Sequence, residues 1–203
     1  MDRASCIDRM RGSDEHHQFY GWGEWNHGGI FVGGACSAAV DEPEDPVYGE
    51  DSISSRREKN KEEKECIAKK ARAQIEDGDT ILLDSGTTAL DLAELLKDIH
   101  NLTVITNDLQ IALKLQKYSE IHLILLGGRV RTSFECTVGG MGIRALEELS
   151  VDKVFMTTNA LSLQKGATTP NLDNAEIKDI YSVIAVRLER KQFVHLPRLK
   201  SLM

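Results

Sequence analysis

The chain has 203 residues, 41% hydrophobic, 28% charged and 5% aromatic, with a formal net charge of −7. That length suits one sizeable domain with an appendage, and the few aromatics mean that aliphatic side chains must build its core. The acidic balance excludes a broad basic surface for nucleic acid, whose affinity comes from Lys and Arg neutralising phosphates.

Residues 1–60 hold Gly, Pro, His and charge without a sustained apolar period, so they read as an irregular segment. Within them, Gly28 to Ala35 is a candidate short strand between glycine turns, and the proline-broken acidic run Asp41 to Asp51 reads as a linker. Residues 1–30 show no helix-turn-helix pattern. The run Arg56 to Lys61 alternates bases with an acid and reads as a solvated hinge.

From residue 61 the pattern becomes regular. Lys61 to Ile75 is rich in helix formers, with Ile67, Ala68, Ala71 and Ile75 at helical spacing, and should stop at Asp77-Gly78, where Gly caps the helix. Then strands and helices alternate: strand Thr80 to Leu83, helix Thr87 to Lys97, strand Leu102 to Ile105, helix Asp108 to Gln116 with Leu109, Ala112 and Leu113 inward. Strand Ile121 to Leu126, helix Met141 to Leu149 and strand Asp152 to Met156 follow, with a further helix over Ala175 to Arg187. Apolar strands alternating with amphipathic helices imply an α/β fold, a parallel sheet covered on both faces and joined by right-handed crossovers. Residues 61–187 form this expected domain, and 188–203 a basic tail without clear period.

The cysteines Cys6, Cys36, Cys66 and Cys136 form no C-x-x-C pair. His16, His17 and His27 lack Cys or carboxylate partners at ligand spacing, so neither a metal site nor a cofactor is expected. There is no signal peptide and no apolar run of the ~18 residues that span a membrane, so a cytoplasmic protein with reduced thiols is expected.

In such a sheet, ligands bind outside the carboxyl ends of the strands. Four segments fall there: Asp84-Ser85-Gly86-Thr87-Thr88, Thr106-Asn107, Gly127-Gly128-Arg129 and Thr157-Thr158-Asn159. The first carries most information. Gly86 permits a sharp turn and close backbone approach, Ser85, Thr87 and Thr88 supply hydroxyls, and the helix N-terminus adds free N–H groups and a positive dipole end. That combination suits a phosphate, while Asp84 suits a sugar hydroxyl or ring nitrogen. Simple capping explains the same residues. Thr106-Asn107 and Gly127-Gly128 are ordinary turn chemistry when taken alone. Glu176 and Lys178, two apart on a helix, point in different directions, and spacing gives them a solvated face.

Eight marks in order resemble one family. They are Glu63-Lys64 with Ile67-Ala68; Asp77-Gly78-Asp79 leading into Leu83-Asp84-Ser85-Gly86-Thr87-Thr88; Leu102-Thr103-Val104-Ile105-Thr106-Asn107; and Leu125-Leu126-Gly127-Gly128. The rest are Val138-Gly139-Gly140; Val151-Asp152-Lys153-Val154-Phe155; Gly166-Ala167-Thr168-Thr169; and Ala175-Glu176-Ile177-Lys178. Together with Gly33-Gly34-Ala35 upstream, this stretch resembles the C-terminal sensor domain of DeoR-type bacterial transcriptional repressors. The resemblance implies a Rossmann-like fold of the ribose-5-phosphate isomerase/glucosamine-6-phosphate deaminase type and a phosphorylated sugar or related metabolite as effector. It implies that Asp84, Ser85, Gly86, Thr87, Thr88, Thr106, Asn107, Gly127, Gly128, Glu176 and Lys178 line the pocket, with Lys178 near the phosphate. It also implies a homo-oligomer and DNA binding in full-length relatives. The chain departs from the family at two places: its residues before Gly-Gly-Ala lack the winged helix-turn-helix pattern, and Tyr181 to Met203 does not follow the usual helix and buried strand. A sensor without catalysis is the expectation; a sugar-phosphate isomerase or deaminase of the same fold, or a truncated fragment, are the alternatives.

Overall fold

The computed structural model describes residues 18–24, 30–37, 53–162 and 166–190. Its centre is a six-stranded sheet. The strands are β1 (Gln18–Glu24), β2 (Ile30–Ser37), β3 (Thr80–Leu83), β4 (Leu102–Thr106), β5 (Ile121–Leu125) and β8 (Lys153–Met156), in the order β1-β2-β8-β3-β4-β5. From β2 to β5 every pairing is parallel, and only β1 runs antiparallel, against β2. Gly33-Gly34-Ala35 lies inside β2, where a short strand was expected over Gly28 to Ala35, and β1 adds a strand from the stretch expected to be irregular. The helix-turn-helix question raised by residues 1–30 falls mostly on residues outside those described, as do 191–203 of the expected basic tail.

Both faces of the sheet are covered, because successive strand residues point to opposite sides and both sides are apolar. Ile81 and Leu83 of β3, Leu102 and Val104 of β4 and Phe155 of β8 pack with helices α2 (Lys61–Arg72), α3 (Thr87–Glu94) and α4 (Leu109–Leu115). Leu82, Ile105, Val154 and Met156 face the other way, onto α5 (Gly140–Glu147) and α6 (Leu172–Arg190), through Leu146, Ile177, Tyr181 and Ile184. The α/β parallel architecture is the Rossmann-like one the alternating pattern implies.

Several boundaries differ from the sequence expectation. α2 ends at Arg72 rather than at Asp77-Gly78. Gly78 instead takes a left-handed φ of 84° and donates its N–H to the His100 carbonyl, joining the turns that precede β3 and β4. In α4 the buried stripe is Ile111, Ala112 and Leu115, while Leu113 is 53% exposed. Asp108 is the N-cap, so positions three, four and seven beyond it face inward and Leu113 does not. Two antiparallel hairpins were not foreseen: β6 (Arg129–Arg131) with β7 (Cys136–Val138), and β9 (Ala160–Ser162) with β10 (Gly166–Thr168). Nor was a short helix α1 (Ile53–Glu58), which overlaps the start of the run Arg56 to Lys61 read as a hinge.

The chain lays down β3, β4 and β5 in one direction and then returns to place β8 on the other side of β3. The sheet order therefore reverses between β3 and β8, which opens a crevice at their carboxyl ends.

Candidate functional site

That crevice is a small cleft open to solvent. Its first wall is the turn after β3. Gly86 has φ 134° and ψ 165°, a backbone that L side chains rarely adopt. Gly86 is also the N-cap of α3 and, having no side chain, makes no capping hydrogen bond of its own. Among the described residues, no side-chain acceptor meets the N–H groups of Thr87 and Thr88, while those of Ser85 and Gly86 go to Asp84 and Asp108. This is the arrangement that binds anions at helix starts.

Beneath the turn is a buried ion pair. Lys178 Nζ, from α6, bonds Asp84 Oδ2, with side-chain exposures of 5% and 1%. The ammonium also donates to the Thr157 carbonyl at 2.9 Å and to Thr157 Oγ1 at 3.3 Å. The same Asp84 oxygen accepts the Thr157 N–H at 2.9 Å, and Asp84 Oδ1 accepts the Ser85 N–H at 2.8 Å. The Thr157 hydroxyl donates to the Ser85 carbonyl at 2.7 Å. Asp84 therefore binds the ends of β3 and β8 together through protein donors.

A second carboxylate, Asp108, lines the cleft from the end of β4. Its Oδ1 caps α4 by accepting the N–H groups of Gln110 (2.8 Å) and Ile111 (2.9 Å), and its Oδ2 accepts the Gly86 N–H at 3.2 Å. Burial pushes its pKa up to about 6, with the nearby Asp84 charge adding to the rise and the three N–H bonds opposing it. Burial also raises the Cys136 thiol, against the pull of Arg131 and the Ser85 hydroxyl.

The β6–β7 hairpin supplies the far rim. Leu109 donates its N–H to the Glu135 carbonyl and Thr137 to the Asn107 carbonyl, so the hairpin is fastened over the end of β4. It brings Phe134, Glu135 and Cys136 to the cleft, facing Arg56 and Arg57 of α1. The guanidinium of Arg56 lies 5.1 Å and that of Arg131 4.1 Å from the Phe134 ring centre.

The structure brings together only part of the expected set. Ser85, Gly86, Thr87 and Lys178 line the cleft, and Asp84 lies beneath them. Thr88 is buried within α3. The Thr106 hydroxyl accepts the Asp108 N–H, and the Asn107 amide donates to the Thr137 carbonyl, so both support the wall from behind. Gly128 is set against β7, and Gly127 is exposed outside the cleft lining. Glu176 is exposed and also outside the lining. One turn of α6 separates Lys178 from Asn174, which reaches the cleft, while Glu176 faces away. Asn159 belongs to the Thr157-Thr158-Asn159 segment expected at a strand end, whereas Arg56, Arg57, Asp108, Phe134 and Asn174 are lining residues that sequence reasoning did not select. For Asp108 a signal existed, an Asp immediately before an apolar helix at a strand end; for the hairpin residues there was none. His16, His17 and His27 lie outside the described residues, among which no cluster of metal ligands occurs.

Together, the switch-point cleft and its uncapped helix start define a Rossmann-like ligand-binding domain. Residues 59–187 match the family model of the DeoR C terminal sensor domain. The chain belongs to the DeoR family, and these residues are its effector-sensing domain. It is 38% identical over 120 residues to the HTH-type transcriptional regulator GolR of Listeria innocua, covering 59% of this chain and 47% of that protein. Against the lactose phosphotransferase system repressor of Staphylococcus aureus it is 40% identical over 131 residues, 63% of this chain and 51% of the repressor. An HTH-type regulator of Bacillus subtilis, FruR, is 35% identical over 130 residues, 64% and 51% of the two chains. The chain spans about half the length of these curated relatives. Among the described residues, no helix is long and apolar enough to cross a membrane.

Proposed function

We propose that the cleft binds a phosphorylated sugar or related metabolite, and that the chain is the sensing part of a cytoplasmic repressor of carbohydrate genes. The observation that carries this reading is the uncapped start of α3 at the switch point, where Gly86, Ser85 and Thr87 meet the cleft. The phosphate sits on the N–H groups of Thr87 and Thr88 at the start of α3, since Asp84 and Asp108 already hold those of Ser85 and Gly86, and the sugar hydroxyls face Asp108, Asn159 and Asn174. The name of the lactose phosphotransferase system repressor points to the same class of metabolism. Binding acts by differential affinity, stabilising one of two states of the regulator. DNA is the partner of full-length relatives that carry a helix-turn-helix. A homo-oligomer is supported by the sheet edge at β5, where Ile124 and Leu125 are exposed.

A panel of pentose and hexose phosphates, each at millimolar concentration, tests the reading by thermal shift. A rise in Tm of several degrees with one member is expected; no response to any of them would remove it.

The second reading is an isomerase or deaminase of the same fold. It draws on Asp108, a carboxyl titrating near 6 beside the phosphate turn, where a general base belongs. Asp84, by contrast, is already bound by Lys178 and Thr157. Turnover of the bound sugar phosphate that vanishes in Asp108→Asn would establish this reading; binding without turnover leaves the sensor.

A further inference from the structure

Asn174 lines the cleft from the first turn of α6 and is only 8% exposed. Its backbone N–H goes to the side chain of Asn171 at 3.1 Å, which caps the helix. Its side-chain Oδ1 is buried and, among the described residues, has no hydrogen-bond partner. Lys178, one turn further along the same face, does not serve it: the ammonium directs its donors to Asp84 Oδ2, the Thr157 carbonyl and the Thr157 hydroxyl. Asn107 Oδ1 and Tyr181 Oη are also buried without a partner, but neither side chain lines the cleft.

A buried acceptor without a donor costs stability, and an apolar group of similar shape avoids that cost. Nothing in the fold offsets it at Asn174. The cap of α6 is Asn171, and Asn forms helices less readily than Leu or Ala. A ligand that brings an O–H into the cleft does offset it. The anion itself is already provided for elsewhere, by the N–H groups of Thr87 and Thr88 at the start of α3. An acceptor oxygen does not hold an anion, so Asn174 Oδ1 addresses the uncharged part of the molecule.

We propose that Asn174 Oδ1 accepts a hydrogen bond from a hydroxyl of the effector, so that the cleft selects a hydroxyl-bearing phosphate over one whose remainder is apolar or carries acceptors alone. The inference rests on the phosphate reading above and adds the residue that reads the rest of the ligand. A site that receives an O–H rejects the analogue lacking it, because the buried acceptor is then left unpaired. In the free chain the same oxygen remains unpaired, so Asn174 trades stability for recognition.

The full chain and its variants, titrated with ribose 5-phosphate, glucose 6-phosphate and fructose 1-phosphate, supply the test. Asn174→Leu, close to Asn in shape, should melt at or above the wild-type temperature without ligand. It should bind the probe that wild type takes about tenfold more weakly. Asn174→Ala should weaken binding similarly, which excludes crowding by the leucine. Glu176→Gln, on the outward face of the same helix, should change affinity less than about twofold. Among the monodeoxy analogues of that probe, one should bind wild type about tenfold more weakly than its parent, yet bind Asn174→Leu as the parent does. Wild-type affinity in both Asn174 variants, or a deoxy penalty that persists in them, overturns the inference while the phosphate site stands. A large drop in the melting temperature of the ligand-free variants overturns it too, because the side chain is then structural. If no probe binds wild type, both readings fall together.

Discussion

Asp84 and Lys178 stand 94 residues apart in sequence and meet as a buried ion pair under the cleft. The pair is the node where β3, β8 and α6 are joined, since Thr157 bonds both partners. Removing either charge strands the other in a low-dielectric site. Lys178→Met or Asp84→Asn should each destabilise the domain by about 3–5 kcal/mol. The double variant should cost clearly less than the sum, because no unpaired charge is left behind. Urea unfolding of the four proteins measures the coupling; strict additivity would show that the two groups are independent.

Gly127 and Gly128 are adjacent in sequence and unequal in the fold. A Cβ at Gly128 would sit 2.4 Å from the Val138 carbonyl oxygen, and φ there is 152°, whereas one at Gly127 meets nothing within 4 Å. Gly128→Ala should lower stability by more than about 2 kcal/mol by forcing β6 away from β7. Gly127→Ala should stay within about 0.5 kcal/mol. Effector affinity of Gly127→Ala, measured alongside, should equal that of wild type, since Gly127 lies outside the cleft lining.

Asp108 makes stability depend on pH in a defined direction. Its folded pKa of about 6 lies above the ordinary aspartate value of 3.8, so the folded chain holds the proton more tightly than the unfolded chain. The cost of ionising the buried carboxyl is fully present above pH 6, is relieved as pH falls through 6, and is gone below 3.8. Asp108→Asn, which keeps a capping side chain, should lose this dependence, removing about 2 kcal/mol of variation between pH 7.5 and pH 4. Parallel pH profiles for wild type and variant would sink the assignment.

Tyr181 is fully buried in α6, and its hydroxyl has no hydrogen-bond partner among the described residues. Burial, with the charges of Asp84, Cys136 and Asp108 nearby, raises its pKa far above the usual phenol range. The ring packs with Leu82, Ile105 and Ile177, and the oxygen is the uncomfortable atom. Tyr181→Phe should therefore be neutral or stabilise by up to about 1 kcal/mol. A loss of 2 kcal/mol or more in thermal unfolding would mean that the hydroxyl makes a bond essential to the fold.

The parallel sheet was readable because its strands are apolar runs at regular intervals, such as Thr80–Leu83 and Leu102–Thr106, separated by helices with clear stripes. The turn at Gly86 was readable from local chemistry alone. The hairpin carrying Phe134 to Cys136 was not, since three-residue strands have too short a period to register. Asp108 went unselected for a different reason: its importance comes from the 3.2 Å contact with Gly86, 22 residues away, which no spacing rule reveals. Glu176 shows the converse. A motif placed it in the pocket, and helix geometry turned it outward.

The distance along the chain between Asp84 and Lys178 also sets an order of events during synthesis. The turn after β3 leaves the ribosome well before α6, yet its supporting ammonium is among the last residues of the domain to appear. Until Lys178 emerges, Asp84 is an unmatched charge and the ends of β3 and β8 are not locked together. A nascent chain stalled before that point holds the turn after β3 without the ion pair that ties it to β8 and α6.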